Sequence, residues 1–276
     1  MHQHQPLITA RELQEALGGT RPPRLLDCRA RLGEPEAGHG LWRVSHLPGS
    51  QHLDLDRDLA APPGEGGRHP LPSQGAFTVT LQRLGVTPDM PVVLYDDMGG
   101  QLAAARAWWM LACWAGHPEV RVLDGGLQAW LAQGGELYEE GSVASSPSRW
   151  CPDYRDDTWA TANALQSSSG LRVDARTHER FSGAAEPIDP IAGHIPGAVC
   201  RPSADNLEKD GRFKSPERLA AELPQADEVV AYCGSGVTAC HTILAYAVAG
   251  RPLPRLYPGS WSEWIRDPAR PIATDV

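Results

Sequence analysis

An internal repeat of short motifs constrains the fold of this 276-residue chain more than any other feature of its sequence. Each half carries an apolar run with an Asp-x-Arg ending, a His-x-Pro-Gly segment, an apolar run ending in tyrosine, and a glycine-containing segment that ends in tryptophan. The matched segments are Leu25–Arg29 with Arg172–Arg176, Ser45–Ser50 with Gly193–Ala198, Val92–Asp96 with Val229–Cys233, and Asp124–Trp130 with Pro258–Trp264. Four landmarks in the same order indicate a duplicated domain.

Short apolar runs alternate with helix-like segments in both halves, for example at 103–114 and 240–248. This alternation predicts an α/β fold in which each half is a mainly parallel sheet with helices on both faces. A stretch rich in Gly, Ser and Pro over 141–149 indicates the join. We therefore expect a first domain at 1–142, a linker at 143–158 and a second domain at 159–276.

Composition and charge argue against two classes of partner. The net charge of −9 disfavours nucleic acid, and no apolar run reaches the roughly 18 residues of a membrane helix. The N-terminus lacks the pattern of a signal peptide, and six irregularly spaced cysteines do not suggest a disulfide framework. We expect a cytoplasmic monomer with a small-molecule substrate.

The stretch that carries chemistry begins with an apolar strand pattern that ends at Cys233. Gly234 and Gly236 follow, and an apolar helix begins near Thr238. Glycines let the backbone curl and turn its N–H groups inward at a helix N-terminus, where they favour a thiolate over a thiol. Cys233 is therefore the candidate nucleophile.

A cysteine at the end of a strand has two other common interpretations. A buried, inert thiol is the common case, and we expect it for Cys28, Cys113, Cys151 and Cys200. A cysteine phosphatase needs a histidine before the cysteine and an arginine six residues after it to bind a dianion. Tyr232 and Ala239 stand at those positions, which argues against a phosphatase.

The loop Cys-Gly-Ser-Gly-Val-Thr resembles the active-site loop of the rhodanese family, and the tandem repeat resembles its two-domain members over essentially the whole chain. The resemblance is to the mercaptopyruvate branch, since thiosulfate enzymes of animal type carry two cations where Gly234 and Ser235 stand here. It implies that Cys233 carries sulfur as a persulfide and that loop residues bind the substrate; these are Gly234, Gly236, Val237 and Thr238.

The same resemblance implies the reaction. A small anionic donor, 3-mercaptopyruvate, passes sulfur through Cys233 to a thiol such as that of thioredoxin, or to cyanide, and pyruvate leaves. This is covalent catalysis without a metal or organic cofactor. Thiosulfate as donor, or a non-catalytic persulfide carrier, are the alternatives.

The resemblance assigns the donor carboxylate to Arg180, whose guanidinium can bind it through two parallel hydrogen bonds. The family carries a second arginine just before the Gly-His-Ile-Pro-Gly segment, but this chain has two acids there, Glu186 and Asp189, and no arginine. Because of that departure, the resemblance assigns no second residue to bind the donor carboxylate. Arg201 is the candidate, and a salt bridge is its alternative.

The mercaptopyruvate branch also resembles this chain in a relay of serine, histidine and aspartate. The matching residues are Ser235, His69 and Asp56. A leaving enolate must be protonated or polarised, and a hydrogen-bonded histidine suits that task. Asp96 stands in the first repeat where Cys233 stands in the second, so the first domain is expected to lack catalytic activity.

Overall fold

The computed structural model describes residues 5–139 and 146–274. They form two compact units: residues 5–61, 72–139 and 146–155 with Glu208–Phe213 make the first, and Pro62–Leu71 with Asp156–Leu207 and residues 214–274 make the second. Each unit contains one of the two repeats, as its own parallel sheet with helices. The predicted fold class is therefore confirmed.

The first unit is built on a five-stranded sheet in the order β1-β5-β4-β2-β3, with every pair parallel. The strands are β1 (Leu7–Ile8), β2 (Arg24–Asp27), β3 (Gln51–His52), β4 (Val92–Tyr95) and β5 (Val120–Leu123). The helices are α1 (Ala10–Leu17), α2 (Ala37–Val44), α3 (Gln74–Arg83), α4 (Ala103–Trp108) and α5 (Gly126–Ala132). A π-helical segment, Trp109–Trp114, continues α4.

The second unit contains a four-stranded parallel sheet in the order β7-β6-β8-β9. The strands are β6 (Leu171–Asp174), β7 (Ala198–Cys200), β8 (Val229–Tyr232) and β9 (Arg255–Leu256). The helices are α6 (Ala162–Ser167), α7 (His178–Ser182), α8 (Pro216–Glu222), α9 (Thr238–Val248) and α10 (Ser260–Trp264). The central strands β4 and β8 are almost entirely buried, which explains their continuous apolar sequences.

The repeat extends to the buried polar framework of each unit. Arg29 pairs with Asp27 at 2.6 Å in the first unit, and Arg176 pairs with Asp174 at 2.7 Å in the second. All four side chains are nearly inaccessible to solvent. Buried charges are tolerated when they are paired and hydrogen-bonded in this way, so both pairs serve the architecture of their own unit.

Along the chain the division falls between Arg155 and Asp156, inside the predicted linker of 143–158, and two further segments lie in the other unit from the predicted domains 1–142 and 159–276. Residues 62–71 belong to the second unit, where the Arg68 backbone N–H donates to Ser262 Oγ at 3.0 Å. Residues 208–213 belong to the first, where the Phe213 N–H donates to Asp124 Oδ1 at 2.9 Å. Long-range contacts of this kind leave no local pattern in a sequence. Residues 143–145 of the predicted linker lie outside the described residues.

Within residues 5–139 and 146–274, no helix combines the length and the apolar character that crossing a membrane requires.

Candidate active site

Cys233 lies directly after β8, in the loop that leads into α9. Its Sγ accepts a hydrogen bond from the Gly236 backbone N–H at 3.2 Å. Its own backbone N–H donates to Ser260 Oγ at 3.0 Å. The sulfur therefore lies against a backbone N–H of the loop just before a helix begins, a position where N–H groups and the helix dipole favour an anion.

Backbone contacts with the start of α10 fix the shape of this loop. The N–H groups of Trp261 and Ser262 donate to the carbonyl oxygens of Cys233 and Gly234 at 3.0 and 2.9 Å. Gly236 has φ +76°, and a Cβ there would lie 2.2 Å from the Pro258 carbonyl oxygen. Only glycine satisfies both the left-handed backbone and this close approach.

The next loop residue, Ser235, is hydrogen-bonded to a histidine far away in sequence. Its Oγ lies 2.8 Å from Nδ1 of His69, a residue of the 62–71 segment within the second unit. The structure therefore brings two of the three predicted relay residues into contact beside the thiol. Asp56 belongs to the first unit. Burial, reinforced by the nearby Asp54, raises the pKa of its carboxyl group.

Arg180, the predicted carboxylate anchor, also lies against the loop. A Cβ on Gly234 would be 3.2 and 3.3 Å from its two terminal nitrogens. The guanidinium binds both acids of the segment that departs from the family pattern, Glu186 at 2.8 Å and Asp189 at 3.0 Å. Arg68 binds the same carboxylate, Asp189, and the sequence alone did not identify it as a site residue. The available signal was its position immediately before His69.

The other predicted substrate residues occupy different kinds of position. Val237 is buried and precedes α9, and Thr238 is the first residue of that helix. Arg201 bonds to Glu222 at 2.9 Å and to the oxygens of Asp205 and Asn206. Within the described part of the chain none of these hydrogen bonds reaches the cysteine loop, which fits the alternative of a salt bridge for Arg201.

Three other thiols are poorly suited to act as nucleophiles. Burial raises the pKa of Cys113 to about 12, and burial together with Asp174 raises that of Cys200 to about 12. Burial raises the pKa of Cys28 well above its ordinary value, and Asp27 adds to that shift. The thiolate form, which is the reactive one, is therefore suppressed at these positions.

A cysteine whose sulfur accepts a backbone N–H between a parallel strand and a helix, in one of two matched α/β units, has the placement of the nucleophile of a thiol-based transferase. The model of the rhodanese-like domain matches residues 9–133 and again 158–267. The chain belongs to the rhodanese family, and it is a sulfurtransferase.

Two curated relatives match almost the whole chain. The probable 3-mercaptopyruvate sulfurtransferase of Pseudomonas aeruginosa is 49% identical over 97% of this chain and 98% of its own. The putative thiosulfate sulfurtransferase of Mycobacterium tuberculosis is 43% identical over 97% and 96%. Among solved structures, 3-mercaptopyruvate sulfurtransferase from Leishmania major has a TM-score of 0.83 at 28% identity, covering 96% of this chain and 76% of that one.

Proposed function

We propose that the protein takes sulfur from 3-mercaptopyruvate, holds it as a persulfide on Cys233 and passes it to a thiol. The observation that carries this choice of donor is the 2.8 Å contact between His69 Nδ1 and Ser235 Oγ, next to the nucleophile. A carrier that only stores sulfur has no use for a proton relay, whereas release of pyruvate requires one. Thiosulfate, the donor in the name of the 43% identical relative, is the second candidate.

In the first half-reaction, the Cys233 thiolate attacks the sulfur of the donor. A new S–S bond forms while the C–S bond breaks, and its electron pair passes to the departing carbon as the enolate of pyruvate. The donor's sulfhydryl proton starts on the transferred sulfur, and the enolate must gain one proton to become pyruvate. The hydrogen-bonded hydroxyl and imidazole can move that proton.

In the second half-reaction, an acceptor thiolate attacks the outer sulfur and Cys233 leaves as a thiolate. The backbone N–H of Gly236, which contacts Sγ in the resting protein, stabilises that leaving anion. A dithiol such as thioredoxin can then form a disulfide and release hydrogen sulfide. We propose a cytoplasmic location because all six cysteines are free thiols, as is usual in a reducing compartment.

The role of Asp56 in the relay with Ser235 and His69 stays a prediction. A carboxylate that orients a histidine and stabilises its charged form is a recurring arrangement. If Asp56 has this role, Asp56→Asn lowers kcat for mercaptopyruvate with little change in KM. An unchanged kcat would remove Asp56 from the relay.

Steady-state kinetics with both donors and one acceptor test the proposal. We expect a higher kcat/KM with mercaptopyruvate than with thiosulfate, and one added sulfur atom on Cys233 by mass spectrometry after donor exposure. Cys233→Ser should abolish both signals. Faster turnover of thiosulfate would overturn the choice of donor, and sulfur on another cysteine would overturn the assignment of Cys233.

A further inference from the structure

Two consecutive residues, Arg68 and His69, contact two consecutive residues of the cysteine loop. Arg68 lies against Gly234, where a Cβ would be 2.8 Å from its Nη2, and His69 bonds to Ser235 at 2.8 Å. Consecutive side chains of one segment therefore contact consecutive residues of the loop, directly after the nucleophile. This register places the Arg68 guanidinium beside the reaction site.

The local backbone holds Arg68 in this register. Its N–H donates to Ser262 Oγ, and the Ser262 N–H in turn donates to the Gly234 carbonyl oxygen. Gly67 adopts φ +98°, and a Cβ there would lie 2.6 Å from Ser262 Oγ and 2.8 Å from the Gly259 carbonyl oxygen. The close approach of the segment thus depends on a glycine immediately before Arg68.

Arg68 and Arg180 form a pair of guanidinium groups on either side of Asp189. One carboxylate oxygen of Asp189 binds Arg68 Nη1, and the other binds Arg180 Nη2. The Asp189 side chain is only 3% exposed, whereas those of Arg68 and Arg180 are 28% and 15% exposed. The acid is therefore more deeply buried than the two cations, and terminal nitrogens of both cations lie next to Gly234.

We infer that Arg68 is a donor-binding residue, which together with Arg180 binds the anionic group of the sulfur donor beside Cys233. Asp189 acts as a positioning residue, since a carboxylate that bridges two guanidinium groups fixes their separation and orientation. The ligand chemistry is a small oxyanion, either the carboxylate of an α-keto acid or an inorganic sulfur oxyanion. The inference rests on the proposed function only in treating that oxyanion as part of the donor.

Protection of Cys233 from alkylation measures oxyanion binding without turnover. Iodoacetamide would be reacted with the protein at increasing pyruvate and, in a parallel series, sulfate, and modification of Cys233 followed by mass spectrometry. In Arg68→Met the concentration for half-protection should rise roughly 10- to 100-fold, as expected for the loss of a charged hydrogen bond. Arg68→Lys keeps the charge but not the two-nitrogen geometry. Its concentration for half-protection should lie between those of the wild type and Arg68→Met.

Arg83→Met is the matched control, because Arg83 pairs with Asp58 in the first unit and is half exposed. It should leave half-protection unchanged. In donor kinetics, Arg68→Met should raise the donor KM by a similar factor while the acceptor half-reaction is unaffected. A role limited to stability would instead lower the unfolding midpoint and leave half-protection unchanged.

The outcomes separate this inference from the donor assignment. If sulfate protects the wild type and pyruvate does not, the α-keto acid assignment fails, while the Arg68 effect is still measured on sulfate. Half-protection equal in Arg68→Met and the wild type overturns the inference, as does the absence of protection by either anion. Should Arg68→Met fail to fold, Arg68→Lys decides alone, and unchanged half-protection in that variant overturns the inference too.

Discussion

Asp96 fills, in the first unit, the same N–H-lined position that Cys233 occupies in the second. Its carboxylate accepts hydrogen bonds from the N–H groups of Met98 and Gly100 at 2.9 and 2.8 Å, as Cys233 Sγ accepts one from Gly236 at 3.2 Å. The backbone carbonyl oxygens of Asp96 and Cys233 also each accept a hydrogen bond from an N–H group in the segment that follows the last strand of the unit. The duplicated loop therefore directs backbone N–H donors at a buried acceptor side chain in both units, the carboxyl group of Asp96 in the first and the sulfur of Cys233 in the second.

This equivalence predicts the effect of Asp96→Asn. An amide keeps one oxygen for the two N–H groups that bond Oδ1, but its NH2 group would face the Ala104 N–H, which contacts Oδ2 at 3.4 Å, and would leave that buried donor without its acceptor. We expect a loss of about 1–3 kcal/mol in the free energy of unfolding, measured by urea denaturation. Sulfur transfer per folded molecule should be unchanged, and a parallel loss of kcat would contradict a purely structural role for Asp96.

Much of the site could be predicted because it follows from local chemistry. The strand–cysteine–glycine pattern identified Cys233, and the repeat predicted two parallel sheets. Arg68 and the 62–71 segment could not be predicted in the same way, since only packing between distant parts of the chain assigns them to the second unit. Arg201 shows the same limit, because its partner Glu222 lies on α8 and only the folded chain brings them together.

Ser260 offers a test of how the thiol is positioned. It has φ +54°, a left-handed conformation that costs a non-glycine residue free energy, while its Oγ accepts the Cys233 N–H and donates to the Tyr257 carbonyl oxygen. Ser260→Gly relieves the strain and Ser260→Ala does not, so thermal unfolding should show the alanine variant to be the less stable by about 1 kcal/mol. Both variants leave the Cys233 N–H without its acceptor.

The loss of that hydrogen bond should lower kcat/KM roughly tenfold in both Ser260 variants, since about 1.4 kcal/mol corresponds to a factor of ten. The glycine variant separates activity from stability. Full activity in Ser260→Gly would show that the hydroxyl only accommodates the turn and does not position Cys233.

The ion-pair network around Glu222 predicts a pH dependence of stability. Lys214 and Arg201, with a smaller effect of Arg218, lower the pKa of Glu222 from 4.5 to about 2. A carboxyl whose pKa is lowered by folding contributes stability above its unfolded value, and that contribution is lost as the pH falls from about 4.5 toward 2. Because solvent reaches this network, the contribution should be about 1 kcal/mol or less.

Urea denaturation of the wild type and Glu222→Gln at several pH values measures this contribution. The wild type should be the more stable at pH 6, and the difference should shrink on acidification and be nearly absent near pH 2. A difference that stays constant over this range would mean that the substitution acts through packing and not through the charge of Glu222.

His69→Ala tests the chemistry that distinguishes the two donors. Mercaptopyruvate releases an enolate that must gain a proton, whereas thiosulfate releases sulfite, a stable anion that needs none. If His69 and Ser235 move that proton, His69→Ala should lower kcat for mercaptopyruvate by about 10²- to 10⁴-fold and change thiosulfate turnover far less. The ratio of the two rates, measured on one preparation, cancels any general loss of folded protein. Equal losses on both donors would mean that His69 supports the loop through Ser235 without moving a proton.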